Sequence, residues 1–210
     1  MKVIKEISAT KEKILEAAKQ LMLKQGFPAT TVDEICDASG FTKGSFFHYF
    51  ESKEELGKAV LEFYSNKMSE MIEMAPFNQE FDPLQRVYGY LDFLIQLSKH
   101  PEAPKSCILG NFTQELAETH AEIRSLCAAR FDQWANRFKR DLDQAKDLHA
   151  HKAPFDTLSL AEHLISLVEG SFILAKAKKD NGIFERNILQ YKLYLKCLFE
   201  KKYPDGSFLK

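Results

Sequence analysis

Arginine is missing from the first 64 residues, where nine lysines stand against ten aspartates and glutamates. A head that grips polyanions through bulk positive charge is therefore excluded, and any DNA affinity must come from a few placed donors. Paired cysteines are missing too. Cys36, Cys107, Cys127 and Cys197 lie far apart with no Cys-x-x-Cys, which argues against a disulfide framework or a structural zinc site. His149 and His151 form a His-x-His in a predicted loop without further ligands nearby, so no metal and no cofactor is expected. Nowhere do about 18 apolar residues run together, the length that crosses a bilayer. Residues 1–13 scatter Lys and Glu where a secretion signal needs an apolar core. The expectation is a cytoplasmic protein with no membrane partner. No strand-like alternation, internal repeat or low-complexity tract is present. With 45% hydrophobic and 28% charged residues over 210 positions, the chain has the composition of a folded globular protein, large enough for a small and a medium domain.

What remains is helical periodicity, and the expected class is all-α. Thr10 is a good N-cap, and Ile14, Leu15, Ala18, Leu21 and Met22 follow at helical spacing until Gly26, giving a helix over 11–25. Thr31 and Glu34 form a Thr-x-x-Glu capping box that opens a helix over 32–38. Gly40 breaks that helix, and Thr42 caps another over 43–49. A second box, Ser52 to Glu55, starts a long helix limited by Pro76. Helices are further expected at about 83–99, 106–118, 121–146, 157–178 and 184–202. Pro101 with Pro104, then residues 149–154, and finally Asp180-Asn181-Gly182 supply the breaks.

Two short helices joined by a tight glycine turn suggest a helix-turn-helix, whose second helix enters the major groove. Thr31 puts a hydroxyl and a helix N-terminus where a phosphate can sit; Thr42, Lys43 and Ser45 crowd the leading end of the reading helix, and Gly44 permits close backbone approach. His48, Tyr49 and Lys53 add donors for phosphate oxygens. Phe46 and Phe50 are expected in the core. The stretch Thr31-Val-Asp-Glu-Ile-Cys-Asp-Ala-Ser-Gly-Phe-Thr-Lys-Gly-Ser-Phe-Phe-His-Tyr-Phe-Glu-Ser-Lys-Glu-Glu-Leu56 closely resembles the DNA-binding signature of the TetR/AcrR repressor family, over about 50 residues from Thr10 to Ala59. The resemblance implies a three-helix head over 1–55, joined through helix 4 to a ligand-binding and dimerisation body over 56–210. It implies that Thr42, Lys43, Gly44, Ser45, Phe47 and His48 face the groove while Thr31, Tyr49 and Lys53 hold the backbone. Phe47 stands where the family often has Tyr, which replaces a hydroxyl by a ring edge suited to a thymine methyl.

In the body, Cys127, Phe131, Trp134 and Phe138 recur on one helical face. With Phe93, Phe112 and Phe172 as neighbours they either line an apolar ligand pocket, fixed by Gln114, His163 or Glu169, or form plain core. The segments around Cys107 to Leu116 and Glu169 to Lys176 resemble the bodies of a TetR subset that includes LmrA, YxaF and NemR, which implies a small apolar or electrophilic effector. Cys107, at a predicted helix start beside Lys105, is either a reactive thiol or a buried inert one. Leu160, Leu164, Leu167, Val168 and Ile173, with Ile188, Tyr191, Leu195, Leu198 and Phe199, either complete the monomer core or build a four-helix homodimer interface. The function expected is that of a repressor on palindromic double-stranded DNA. No motif supports an enzyme.

Overall fold

The computed structural model describes residues 8–100 and 105–200. They form α1 (Ala9–Gln25), α2 (Val32–Ser39), α3 (Lys43–Tyr49), α4 (Lys53–Glu73), a 3₁₀ turn (Pro76–Gln79), α5 (Pro83–Lys99), α6 (Ile108–Leu116), α7 (Ala121–His149), α8 (Thr157–Lys178) and α9 (Gly182–Glu200). The expected all-α class and its helix order are the observed ones, and no strand occurs among the described residues. Pro101 and Pro104, expected as a break, lie outside them.

Capping chemistry sets most of the boundaries. Thr31 accepts from the Glu34 N–H at 3.2 Å, and the Glu34 carboxylate accepts from the Thr31 N–H at 2.8 Å, so the capping box is complete. Gly40 ends α2 in the left-handed conformation (φ 75°, ψ 21°), its N–H directed at the carbonyls of Cys36 and Asp37. The start of α1 differs from expectation: Ser8, not Thr10, is the N-cap, its hydroxyl accepting from the Lys11 N–H at 3.3 Å. Ser8-x-x-Lys11 and Thr10-x-x-Lys13 are equally good caps by spacing, and packing chose the earlier one. At the other end of α1, Gly26 has φ 88° but ψ 157°, an extended mirror conformation rather than the expected left-handed cap.

The chain divides into two compact units, one of Met1–Ser69 with Cys107–Ala129, the other of Glu70–Ser106 with Arg130–Lys210. The expected division between residues 55 and 56 instead falls in the first turn of α4, where Leu56, Val60 and Leu61 are all buried. In the first unit Ile14, Leu15, Ala18, Met22, Ile35, Phe46 and Leu56 form the core. Here α6 packs on α1: the Phe27 N–H donates to Glu115 Oε2 at 2.7 Å, and the Phe27 ring meets Phe112 edge-on at 5.4 Å between centroids.

In the second unit α9 packs on α8 and α5. The Tyr191 hydroxyl donates to the Leu160 carbonyl at 2.6 Å, and Arg86 on α5 pairs with Asp141 on α7 at 2.9 Å. α8 is 22 residues long with a window of mean hydropathy 1.4, so by length and composition alone it could cross a bilayer, a test that the core helix of a soluble protein also passes. The sequence reading looked for an uninterrupted apolar run, whereas α8 spreads its apolar residues around two faces. Leu160, Leu164 and Val168 are buried, while Leu158, Ile173 and Leu174 are exposed.

Candidate nucleic-acid interface

α2 and α3 meet through the Gly40 turn, and α3 is anchored by its inner face. Phe46 is 0% exposed and Phe50 is buried, their rings 5.7 Å apart, while the next residue, Phe47, is 55% exposed. Helical geometry then turns Lys43, Gly44, Phe47 and His48 outward together, and all four are exposed. A shallow hollow of about 540 Å³ opens on this side, lined by Thr10, Phe41, Thr42, Gly44, Ser45, His48 and Tyr49. Thr10 and Phe41 are additions that sequence reasoning missed. The shift of the α1 cap to Ser8 moved Thr10 from the cap into the helix. A Cβ built at Gly44 meets only the Thr42 hydroxyl, at 3.6 Å, so nothing inside the fold demands glycine there.

The polar groups are less available than their types suggested. Thr42 is the N-cap of α3, accepting from the Ser45 N–H at 3.2 Å, with the two hydroxyls 3.3 Å apart. Lys43 lies 2.7 Å from the Asp33 carboxylate, which holds the lysine above its ordinary pKa. The Tyr49 hydroxyl receives a hydrogen bond from Ser8 at 3.0 Å. Two expected phosphate contacts are engaged elsewhere. The Thr31 hydroxyl donates to Glu34 at 2.9 Å within the capping box. Lys53 sends its ammonium to the carbonyls of Phe27, Pro28 and Thr30 at 3.0, 3.3 and 2.9 Å, and lies over the Phe27 ring. Those carbonyls, left without helical partners after α1, are better acceptors for a half-buried ammonium than open solvent. Lys53 therefore ties α4 to the α1–α2 loop.

The expected effector residues are distributed over both compact units. Phe112 and Cys127 are buried in the first unit, Phe112 against Phe27 and the Cys127 thiol facing the Leu109 carbonyl at 4.0 Å. In the second unit, Phe93 and Phe138 surround Phe77 and Tyr90, while Trp134 donates to the Tyr90 hydroxyl at 2.7 Å and stacks on Phe131. Burial pushes the Tyr90 phenol up to about 12, with the Trp134 hydrogen bond opposing the shift. Phe172 packs on Phe184, and His163 is exposed beside Tyr191 and Tyr194. On α7, Cys127 belongs to the first unit and Phe131, Trp134 and Phe138 to the second; Phe112, Phe138 and Cys127 are buried, and Phe131 and Trp134 are half-buried. Tyr90 and Phe77 were missed because their partners lie on another helix, beyond the reach of single-helix periodicity.

Cys107 is half-buried and is the N-cap residue of α6. Lys105, expected as its cation, is exposed. On α1, burial holds the Lys19 ammonium below its ordinary pKa; Glu16 opposes the shift, Lys67 adds to it, and Cys107, last of the causes, opposes it.

Comparison with known proteins agrees with this geometry. Residues 14–60 match the model of bacterial regulatory proteins of the tetR family, and residues 83–190 match the tetracyclin repressor-like C-terminal domain. The chain is 25% identical to the HTH-type transcriptional repressor DhaR of Mycobacterium sp. (strain GP1), over 93% of each chain. It is also 25% identical to the HTH-type transcriptional repressor NemR of Escherichia coli (strain K12), covering 81% of this chain and 85% of that one. The crystal structure of E. coli NemR in reduced form superposes with a TM-score of 0.76 at 22% identity, over 89% of this chain and 96% of that one. An outward-facing α3 on a capped helix-turn-helix, followed by a helical body matched across most of its length, places the chain in the TetR family of bacterial regulatory proteins.

Proposed function

We propose that the chain is a transcriptional repressor that binds a palindromic double-stranded operator as a homodimer and is released by a small apolar or thiol-reactive effector. The observation that carries this is α3, whose Phe46 is fully buried while Lys43, Gly44, Phe47 and His48 all point outward. A short rod that exposes a glycine, a lysine and two rings can lie against base edges, with Thr42 and Tyr49 reaching the backbone.

A symmetric operator needs two such rods, and the second comes from a second copy. Of the residues expected to pair the copies, Leu160, Leu164, Val168, Ile188, Tyr191, Leu195 and Phe199 are buried within one chain, Leu167 and Leu198 are half-buried, and Ile173 is exposed. The opposite faces, with Ile173 and Leu174 on α8 and Leu189, Leu193 and Tyr194 on α9, are exposed. These are the faces that meet in a four-helix interface. A gel shift with the DNA upstream of the chain's own gene tests the reading: a complex of two chains per site, weakening steeply with salt, is expected. Failure to shift at low salt would overturn it.

Release requires that the effector bind the DNA-free form more tightly, and effector and operator then weaken each other reciprocally. Cys107 supports a thiol-reactive effector. It sits at a helix start, half-buried, in the same compact unit as α3. NemR, a relative by sequence, has a solved form described as reduced. N-ethylmaleimide, whose alkene carbon forms a bond to the sulfur while the neighbouring carbon takes up the proton, should release DNA from the native protein and not from Cys107→Ser. Equal release from both would remove Cys107 from the mechanism.

A further inference from the structure

We infer that Asp33 is a specificity-determining residue, whose carboxylate holds the Lys43 side chain of the reading helix away from the phosphates of non-operator DNA. The inference rests on the repressor reading above.

Among the reading residues Thr42 to His48, Lys43 is the one lysine, and the first 64 residues contain no arginine. Its ammonium lies 2.7 Å from Asp33 Oδ1, and the two side chains are 62% and 63% exposed. An ion pair this exposed adds little to folding stability. α2 and α3 are already joined by the Gly40 turn and by the burial of Ile35 and Phe46. The pair's consequence is therefore electrostatic and outward-directed.

Binding to random DNA comes almost wholly from cations that replace condensed counterions on phosphates. Asp33 acts against this by neutralising the lysine of the reading helix, so that the intact pair offers a phosphate no net positive charge. Asp37, one turn further along α2 and also exposed, adds a negative charge. A duplex that offers only phosphates must break the pair and gains one contact in return. An operator that also offers base edges to Gly44, Phe47 and His48 offsets the same loss with contacts that random sequence lacks. The pair thus weakens both complexes but penalises the wrong one more, which is how discrimination is built from a repulsive element.

The test is fluorescence anisotropy on the full chain, with a labelled random-sequence duplex and the labelled upstream fragment, titrated across a range of salt. Asp33→Asn is expected to bind the random duplex roughly 3- to 10-fold more tightly, with a log–log salt slope steeper by about 0.9 for each phosphate gained. Affinity for the upstream fragment rises less, so the ratio between the two falls. In a Lys43→Gln background the same substitution should lose most of its effect, since its partner is gone. Asp33→Ser, which keeps a small polar group in the first turn of α2, repeats the measurement should the asparagine variant fold poorly. Native protein that binds both duplexes while Asp33→Asn matches it in affinity and slope overturns this inference alone. Native protein that binds neither duplex at low salt overturns the repressor reading and this one with it.

Discussion

Replacing Gly44 by glutamate is expected to abolish operator binding while leaving the helical head folded. Inside the fold the position is undemanding: an added Cβ touches only the Thr42 hydroxyl, at 3.6 Å. Glutamate is a better helix former than glycine by roughly 0.5–1 kcal/mol, and an acidic group in a first helical turn suits the macrodipole. Thermal stability should hold or rise slightly. On the outer face the same side chain brings bulk and negative charge to the surface that approaches the duplex. A disrupted base-scale contact costs about 1–3 kcal/mol, and a symmetric dimer loses it at both half-sites. The combined loss corresponds to on the order of 30-fold to 10,000-fold in affinity. A gel-shift titration beside a melting curve separates the two effects. Unchanged affinity would remove α3 from the DNA contact.

The neighbouring phenylalanines supply the second test, because a single step along the helix separates opposite roles. Phe46→Ala deletes a ring that is 0% exposed and packs on Phe50. Such a deletion costs about 3–5 kcal/mol, a large part of the 5–15 kcal/mol or so that holds a typical domain together. Amide hydrogen exchange in α1 to α3 should accelerate strongly, and DNA binding should fail with it. Phe47→Ala removes a ring that is 55% exposed. Exchange in the head should barely change, yet operator affinity should fall. The reverse pattern, a stable Phe46→Ala and an unfolded Phe47→Ala, would mean that α3 faces the other way.

The helices were legible for local reasons. The Thr31–Glu34 capping box, the Gly40 turn and the Thr42 cap each involve groups within a few residues of one another, so spacing alone specifies them. Phe46 and Phe50 were expected in the core, while the outward placing of Lys43, Gly44, Phe47 and His48 came from the family resemblance of the motif. Residue type could not tell whether a donor is still available. Lys53 and Thr31 have the chemistry of phosphate contacts, yet three loop carbonyls hold the one and Glu34 holds the other. Asp33 escaped notice because its partner, Lys43, is ten residues away across a turn whose angle only the folded chain defines.

The same limit governs the body. Single-helix periodicity marks a face as apolar but does not name what covers it, so Cys127, Phe131, Trp134 and Phe138 read as one stripe although Cys127 belongs to one compact unit and the three aromatics to the other. It likewise offered Leu160, Leu164, Ile173, Ile188 and Leu195 as interface or core without separating them, whereas Leu160, Leu164, Ile188 and Leu195 are buried and Ile173 is exposed, together with Leu189 and Leu193, which it did not offer.

From the order of residues alone came the all-helical class and the limits of α2 and α3, since these rest on contacts within one or two turns, and the resemblance of the motif added the outward face of the reading helix. Tertiary structure alone decided which donors remain available, which apolar faces stay uncovered, and that Cys107 shares a compact unit with α3. Those outcomes depend on groups far apart in the chain, whose meeting is settled by packing rather than by spacing.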